Sequence, residues 1–397
     1  CRLLTVNSRM TLPLSLPAPL SLRISPTIAD LAYDGPTTHP REVDMPRSFN
    51  LCLALAMMFP FAAGAADHGF VGFSTTDSLV VLDLDAGTPL APSINLLPEA
   101  NYPYDATILP DGSEVWICGA SGDGIVVIET VTLTVLTTID LATIGEYPVN
   151  IAFDATGGTA YVSSRDNDAV VLVDVATHTP TGVTVPTTGW AGKGRVRPSD
   201  GTIFIVEWYG SELYAIDPVS LLVTPADIGF NLWDLAIHPS GTPLYVIDRG
   251  TDQVHVVDPD TLTVTTSVAV GDDPWGLDIT PDGSTVFVAC EDGSLVSVID
   301  TATNLVIETI PLAADADPRD VDVSADGAFA YVPNGSVSGD DGVVVIDTAT
   351  LTIVDTITVS GDSNGNVIAV APEPLSGLIF VDGFESGDTT AWSSTVP

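Results

Sequence analysis

Positive charge is scarce in this chain. Of 397 residues only 11 are Lys or Arg, against 52 Asp and Glu, for a formal net charge of −41 at pH 7. Such a polyanion is repelled by DNA, RNA and anionic lipid, which argues against a nucleic-acid partner; the excess acid serves solubility first. Cysteine is scarcer still, with four residues, and Cys1 and Cys52 precede the part that reads as mature protein. Cys118 and Cys290 each end an apolar run, VWIC and VFVAC, in distant parts of the chain, and read as small buried residues rather than a disulfide. No CxxC or HExxH spacing occurs, and His68, His178, His238 and His255 fall at unrelated places, which argues against a His-built metal or haem site. No stretch has helical periodicity, and the one long apolar run, residues 51–63, is too short to span a membrane.

That run has another reading. From Met45 the sequence is MPRSFNLCLALAMMFPFAAGAADHGF, with Arg47 before the apolar stretch and Ala63-Gly64-Ala65 after it in the small-x-small form of a cleavage site. Residues 45–65 are therefore predicted to be a signal peptide cleaved near Ala65, which places the mature protein outside the cell, in the periplasm or on the cell surface. Residues 1–44 lack periodicity and precede this better start; they are expected to be a non-native or disordered leader. Residues 66–374 are expected to form the folded domain, and 375–397 a C-terminal tail.

What the chain does have is repetition. Turn glycines recur at Gly112, Gly157, Gly201, Gly241, Gly283 and Gly327, several in Pro-Asp-Gly or Ala-Asp-Gly turns. A second corner recurs at Asp83, Glu129, Asp174, Asp217, Asp258, Asp300 and Asp347, marking seven units of about 40–45 residues. Within a unit, short alternating or wholly apolar β-branched runs such as WGLDI, TVFVA, LVSVI and LVIETI are separated by turns. Four strands per unit at this period predict an all-β, seven-bladed β-propeller of four-stranded blades. The first unit opens at HGFVGF and lacks an inner strand, whereas NVIAVAP (366–372) is an inner strand without a blade. Pairing the second into the first closes the ring and removes two sheet edges.

The units PWGLDITPDGSTVFVACEDGSLVSVIDTATNLVIETI and PRDVDVSADGAFAYVPNGSVSGDDGVVVIDTATLTIVDTI resemble the repeat of the YVTN-family β-propellers. The family tetrapeptide is present in altered form as YVSS (161–164), YVID (245–248), FVAC (287–290) and YVPN (331–334). The resemblance covers about 66–372 and implies the propeller fold. For function it implies only a range, since that family includes surface and exported binding proteins beside relatives of lactonase and dehydrogenase propellers. The segment GLIFVDGFESGDTTAWSSTVP (377–397) resembles a tail found on many exported bacterial proteins, which implies an attachment or sorting role.

A propeller gathers its inter-blade loops, and the turns between its second and third strands, at one mouth of the axial channel. Eight residues before each turn glycine stand Tyr104, Val149, Lys193, Trp233, Trp275 and Arg319; seven after stand Gly119, Ser164, Trp208, Asp248, Cys290 and Asn334. The repeats disagree most at these positions, where packing makes no common demand. After residue 65 the only basic residues are Arg165, Lys193, Arg195, Arg197, Arg249 and Arg319. Arg165 and Arg249 follow second strands, Lys193 and Arg319 are assigned to inter-blade loops, and Arg195 and Arg197 continue into an inner strand. The predicted ligand-binding set is Tyr104, Arg165, Lys193, Arg195, Trp208, Trp233, Arg249, Trp275 and Arg319: cations for a carboxylate, phosphate or sugar acid, aromatics for stacking. The competing reading is that the tryptophans plug the channel and the arginines pair with Asp278, Asp320 or Asp322.

Asp77, Asp123, Asp168, Asp252 and Asp292 in the turns after second strands read as turn residues first. No cofactor is predicted; calcium remains open because Asp341-Gly342 and GDSNGN (361–366) supply oxygen ligands, although no twelve-residue calcium loop matches. Two functions compete. One is an exported, monomeric, non-catalytic propeller whose mouth binds a protein, a glycan or a small anionic ligand. The other is a lactonase- or lyase-type enzyme with Glu207, Asp248 and Glu291 as acids and Lys193 and Arg319 as anion holders. Electron transfer is a distant third.

Overall fold

A computed structural model describes residues 68–371, apart from positions 75, 85, 91–92, 98–99, 101, 120–121, 315, 336–341 and 360–364. The predicted signal peptide, leader and C-terminal tail, with Asp341 and most of GDSNGN, lie outside the described residues. Seven antiparallel sheets follow one another along the chain as a seven-bladed β-propeller. The second blade is typical, with Pro103–Ile108 innermost, then Glu114–Gly119, Gly124–Glu129 and the outer Thr134–Asp140. The first blade takes its inner strand from the far end of the chain: Gly365–Val370 pairs antiparallel with His68–Phe73. Its outer edge is two short pieces, Thr88–Pro89 and Ile94–Asn95, both paired with Ser78–Asp83, so this sheet counts five strands.

The middle two strands of each blade are apolar on both faces because each is sandwiched between neighbouring blades. Trp116 and Ile117 of the second strand and Val126 and Val127 of the third are all 2 % exposed or less. Trp116 packs edge-on against Phe153 of the next blade, with ring centroids 5.2 Å apart, within a cluster that also holds Ile125, Val162 and Val171. Each such aliphatic side chain contributes about 1.5–3 kcal/mol by leaving water. Outer strands, rich in Thr, face solvent on most positions.

The turn glycines all adopt positive φ, from 68° at Gly157 to 88° at Gly241, a region that a Cβ disfavours. At the second corner the carboxylate caps the turn, as where Asp300 Oδ1 accepts from the Thr303 N–H at 2.8 Å and Asp347 Oδ1 from that of Thr350 at 2.7 Å. The turn aspartates do more than turn. Asp77, Asp123 and Asp252 sit at φ near +50°, and their carboxylates accept the N–H of Tyr102, Tyr147 and Asp273 in the loop entering the next blade, at 2.8, 3.0 and 2.9 Å. In the sixth blade the left-handed residue is Ser294 and not Asp292.

Candidate functional site

Inner strands are where the repeats specialise, and a backbone irregularity explains why. Their pairing with the second strand slips by a residue near Tyr104, Val149, Lys193, Trp233 and Trp275, and again at Asn366 in the closing strand. A bulge re-aims the side chain it carries. Tyr104, Lys193, Trp233, Trp275, Arg319 and Asn366 line one cleft at the axis, together with Trp208 from the end of a second strand and with Tyr102, Asp234 and Asp320.

The cleft is floored by rings. Trp208 and Trp233 stack at 4.5 Å with 7° between planes, and the Trp208 Nε1–H donates to the Trp233 carbonyl at 2.8 Å. Trp275 meets Trp233 edge-on at 4.6 Å, and Tyr104 meets Trp208 at 5.5 Å. Tyr209 abuts Trp233 at 5.3 Å and Trp190 abuts Tyr209 at 5.6 Å, which carries the aromatic surface outward. Four of the chain's six tryptophans stand in this array. Each ring pair is worth about 0.5–1.5 kcal/mol beyond the area it buries.

The cations are arranged around the rings. The Arg249 guanidinium lies 4.4 Å from the Trp233 ring and 3.9 Å from that of Trp275, and is held by Asp273 through bonds of 2.7 and 2.5 Å. Arg319 pairs with Glu291 at 2.7 and 3.0 Å and donates to Asn366 at 3.0 Å. Arg165 covers the Tyr147 ring at 3.3 Å and binds Asp166 at 2.7 Å, on the outer rim. The arginine partners are therefore Glu291, Asp273 and Asp166, in place of the anticipated Asp278, Asp320 and Asp322.

Two positions, Lys193 and Arg195, correct the sequence reading. Lys193 belongs to the inner strand Ala191–Val196 rather than to a loop, and its ammonium is buried against Asp105 at 2.6 Å. Burial pulls its pKa down, but Asp105, Asp320 and Asp234 outweigh that and hold it above the usual lysine value. Arg195, two residues on, points into the channel below the mouth and lines a different cavity. Arg197 lies at the turn face, where it binds Asp200 and, at 2.7 Å, Asp260.

The nominated acids are engaged in holding backbone. Asp248, 1 % exposed, accepts from the N–H of Phe230, Asn231 and Gly250 at 2.9–3.2 Å and faces His255 at 3.2 Å. Burial would raise its pKa, but these bonds hold it below the usual carboxylate value. Glu207 Oε2 accepts from the N–H of Ser211 and Glu212 at 3.1 Å. Glu291 is committed to Arg319.

A second structural role escaped sequence reasoning. The exposed backbone edge of an inner strand is covered by a side chain from the preceding blade: Asp105 accepts from Ile151 N–H at 2.8 Å, Asn150 from Gly194 at 2.8 Å, Asp278 from Val323 at 2.8 Å, Asp320 from Ile368 at 3.1 Å and Asp322 from Val370 at 2.5 Å. The last two bonds fasten the closing strand. Burial, with Asp234 and Asp105 adding to it against Lys193, pushes the Asp320 carboxyl up to about 7. Asp322, buried and facing Asp278, is pushed well above the usual range. The signal was in the sequence as an Asp one or three residues after the variable letter: Asp105 after Tyr104, Asp278 after Trp275, and Asp320 and Asp322 after Arg319.

Fold and site together define the chain as a seven-bladed β-propeller whose ring is closed by its last strand and whose axis is stoppered by aromatic side chains. Residues 209–330 match the family model of the YNCE-like beta-propeller. No curated protein matches the chain. Among solved structures, it is similar to a functionally unknown protein from Desulfotomaculum acetoxidans, at 17 % identity and a TM-score of 0.65 over 78 % of this chain and 100 % of that one. Hydrazine synthase from Kuenenia stuttgartiensis is similar at 18 % identity and a TM-score of 0.59, over 68 % of this chain and 93 % of that one. The Cps50 (Swd1) β-propeller domain from Myceliophteria thermophila is similar at 10 % identity and 0.57, over 67 % and 89 %. At these identities the likeness is one of fold.

Proposed function

We propose that this chain is an exported binding propeller of the YVTN-repeat type, and that it recognises a protein or glycan across its aromatic mouth. The observation that carries the reading is the continuous ring surface, which runs from the buried Trp208–Trp233 stack out to exposed Tyr209 and Trp190, at 62 and 41 % exposure; Phe230, 70 % exposed, stands in the loop that enters the fifth blade. Exposed aromatics in such a group mark recognition surfaces, since rings give large contact area at low entropic cost. Size selects among partners. The cleft encloses about 40 Å³, little more than one water molecule at ~30 Å³ and far below the roughly 300–1,000 Å³ of small-molecule sites. A cleft this small favours a partner that lies over the rim. The enzyme reading is disfavoured because Glu207, Asp248 and Glu291 are all committed to structural bonds. Export rests on the arrangement of Arg47, the apolar run and Ala63-Gly64-Ala65.

The test is binding of the full chain to a glycan array and to labelled cell envelope. Tyr209→Ala with Phe230→Ala should lower binding at least about ten-fold, because truncating a hot-spot aromatic costs about 2 kcal/mol or more, while leaving Tm nearly unchanged. No binding by the native chain across pH and salt would overturn the reading.

A further inference from the structure

The channel does not end at the aromatic floor. Lys193 and Asp320 form a waist that borders both the mouth and a chamber beneath it. The chamber encloses about 300 Å³ and reaches Pro110, so it opens on the face of the Pro-Asp-Gly turns. That volume is at the lower end of the ~300–1,000 Å³ typical of small-molecule sites.

Its walls carry both signs of charge, in different places. Lys193 is spent on Asp105. Arg195 is not spent: its one hydrogen bond goes to the adjoining Gly194 carbonyl at 3.0 Å, its nearest carboxylate is Asp234 at 3.8 Å, and its side chain is 38 % exposed where it lines the chamber. A guanidinium has five N–H donors, so most of this one's are unused. The inner strands of the sixth and seventh blades supply Asp278, Asp320 and Asp322 to the same chamber. Each accepts from backbone N–H groups, and among the described residues none of the three has a Lys or Arg in ion-pair contact.

We propose that this chamber binds a small zwitterion of the α-amino acid kind, with its carboxylate on the Arg195 guanidinium and its ammonium on the carboxylates of Asp278, Asp320 and Asp322. A simple anion would satisfy Arg195 but meet three acids, and a simple cation would meet Arg195; a molecule with both charges answers both walls. The site is separate from the mouth and does not depend on what the mouth binds. Burial raises the pKa of all three carboxyls, that of Asp320 to about 7. An ammonium bound beside Asp320 lowers it again, so binding releases protons and tightens as pH rises through neutrality. Asp105, Asp234, Lys193 and Arg195 are the other charged groups facing these carboxyls.

The experiment is calorimetry on the full chain with glycine and L-leucine, and with isoamylamine and isocaproate, which keep the leucine skeleton but one charge each. Glycine and leucine should bind with proton release, and the single-charge analogues about ten-fold or more weakly, as expected for loss of a charge-assisted pair. Arg195→Gln should weaken leucine about ten-fold and leave isoamylamine unchanged; Asp322→Asn should weaken both, and serves if the first variant does not fold. Tyr209→Ala with Phe230→Ala, at the exposed rim of the mouth, should leave leucine binding intact, which separates this site from the one above. The proposal is overturned if neither glycine nor leucine binds, if isoamylamine equals leucine, or if Arg195→Gln binds leucine normally.

Discussion

Mild acid should stabilise this propeller, and Asp320 is the residue that makes it so. Its side chain is 9 % exposed at the waist of the channel, and its carboxyl is pushed up to about 7 from 3.8, by burial first and by Asp234 and Asp105 after that. A carboxyl whose pKa is higher folded than unfolded contributes stability that is complete below the unfolded value and disappears as pH rises through the folded one. A shift of about three units corresponds to ~4 kcal/mol over the full range, of which ~2.5 kcal/mol falls between about pH 8 and about pH 5. For a domain of this size that is on the order of 5 °C in Tm. Asp278 and Asp322 move in the same direction. Opposing groups act elsewhere on the scale: Asp200, lowered to about 2 chiefly by Arg197, and the corner aspartates, lowered by bonds from Thr and Ser, cost stability only when pH falls below the normal carboxylate range. The assay is thermal unfolding followed by circular dichroism at constant ionic strength, with Asp320→Asn alongside. The reasoning fails if Tm is flat or falls on going from about pH 8 to about pH 5, or if Asp320→Asn retains the full slope.

Other outcomes follow from the same packing. Lys193→Met leaves Asp105 buried without its ammonium and should cost about 3–5 kcal/mol, measured by denaturant unfolding. Gly276→Ala would put a methyl 2.7 Å from the Asp320 Cα and 2.8 Å from the Arg319 carbonyl; loss of about 1–3 kcal/mol is expected, again by unfolding. Cys118 and Cys290 are fully buried, and burial raises both thiols, that of Cys290 to about 11. Peptide mapping after iodoacetamide treatment should find both unmodified in the native protein and alkylated in denaturant, and rapid native labelling would contradict this packing. N-terminal sequencing of protein recovered from outside the cytoplasm should begin at Ala66 if the export signal is used as proposed.

Blade number and ring closure were legible because they rest on features that repeat. Positive-φ glycines, capped aspartate corners and doubly apolar strands are demands made by every blade, so they recur in print. The convergence of Tyr104, Trp208, Trp233, Trp275 and Arg319 could also be anticipated, since it needs only the period and the circular order. Asn366 was missed because its strand stands at the far end of the chain, and a count from turn glycines never reaches it. Arg195 was misplaced for a different reason. Side chains along an inner strand are distributed along the depth of the channel, and two or four residues beyond the mouth is enough to reach the chamber or the opposite face.

From the chain alone came the period, the seven units, the borrowed strand and the list of letters free to vary, because local turn chemistry and alternation encode them directly. Three-dimensional packing alone decided which arginines were already paired, that stacked indoles leave the mouth almost no volume, and that aspartates beside the variable letters fasten one blade to the next. Those outcomes depend on distances between residues far apart in the chain, such as Lys193 and Asp105, 88 positions apart. Such distances are set by how far each blade rotates about the axis, and no local pattern of residues carries that information.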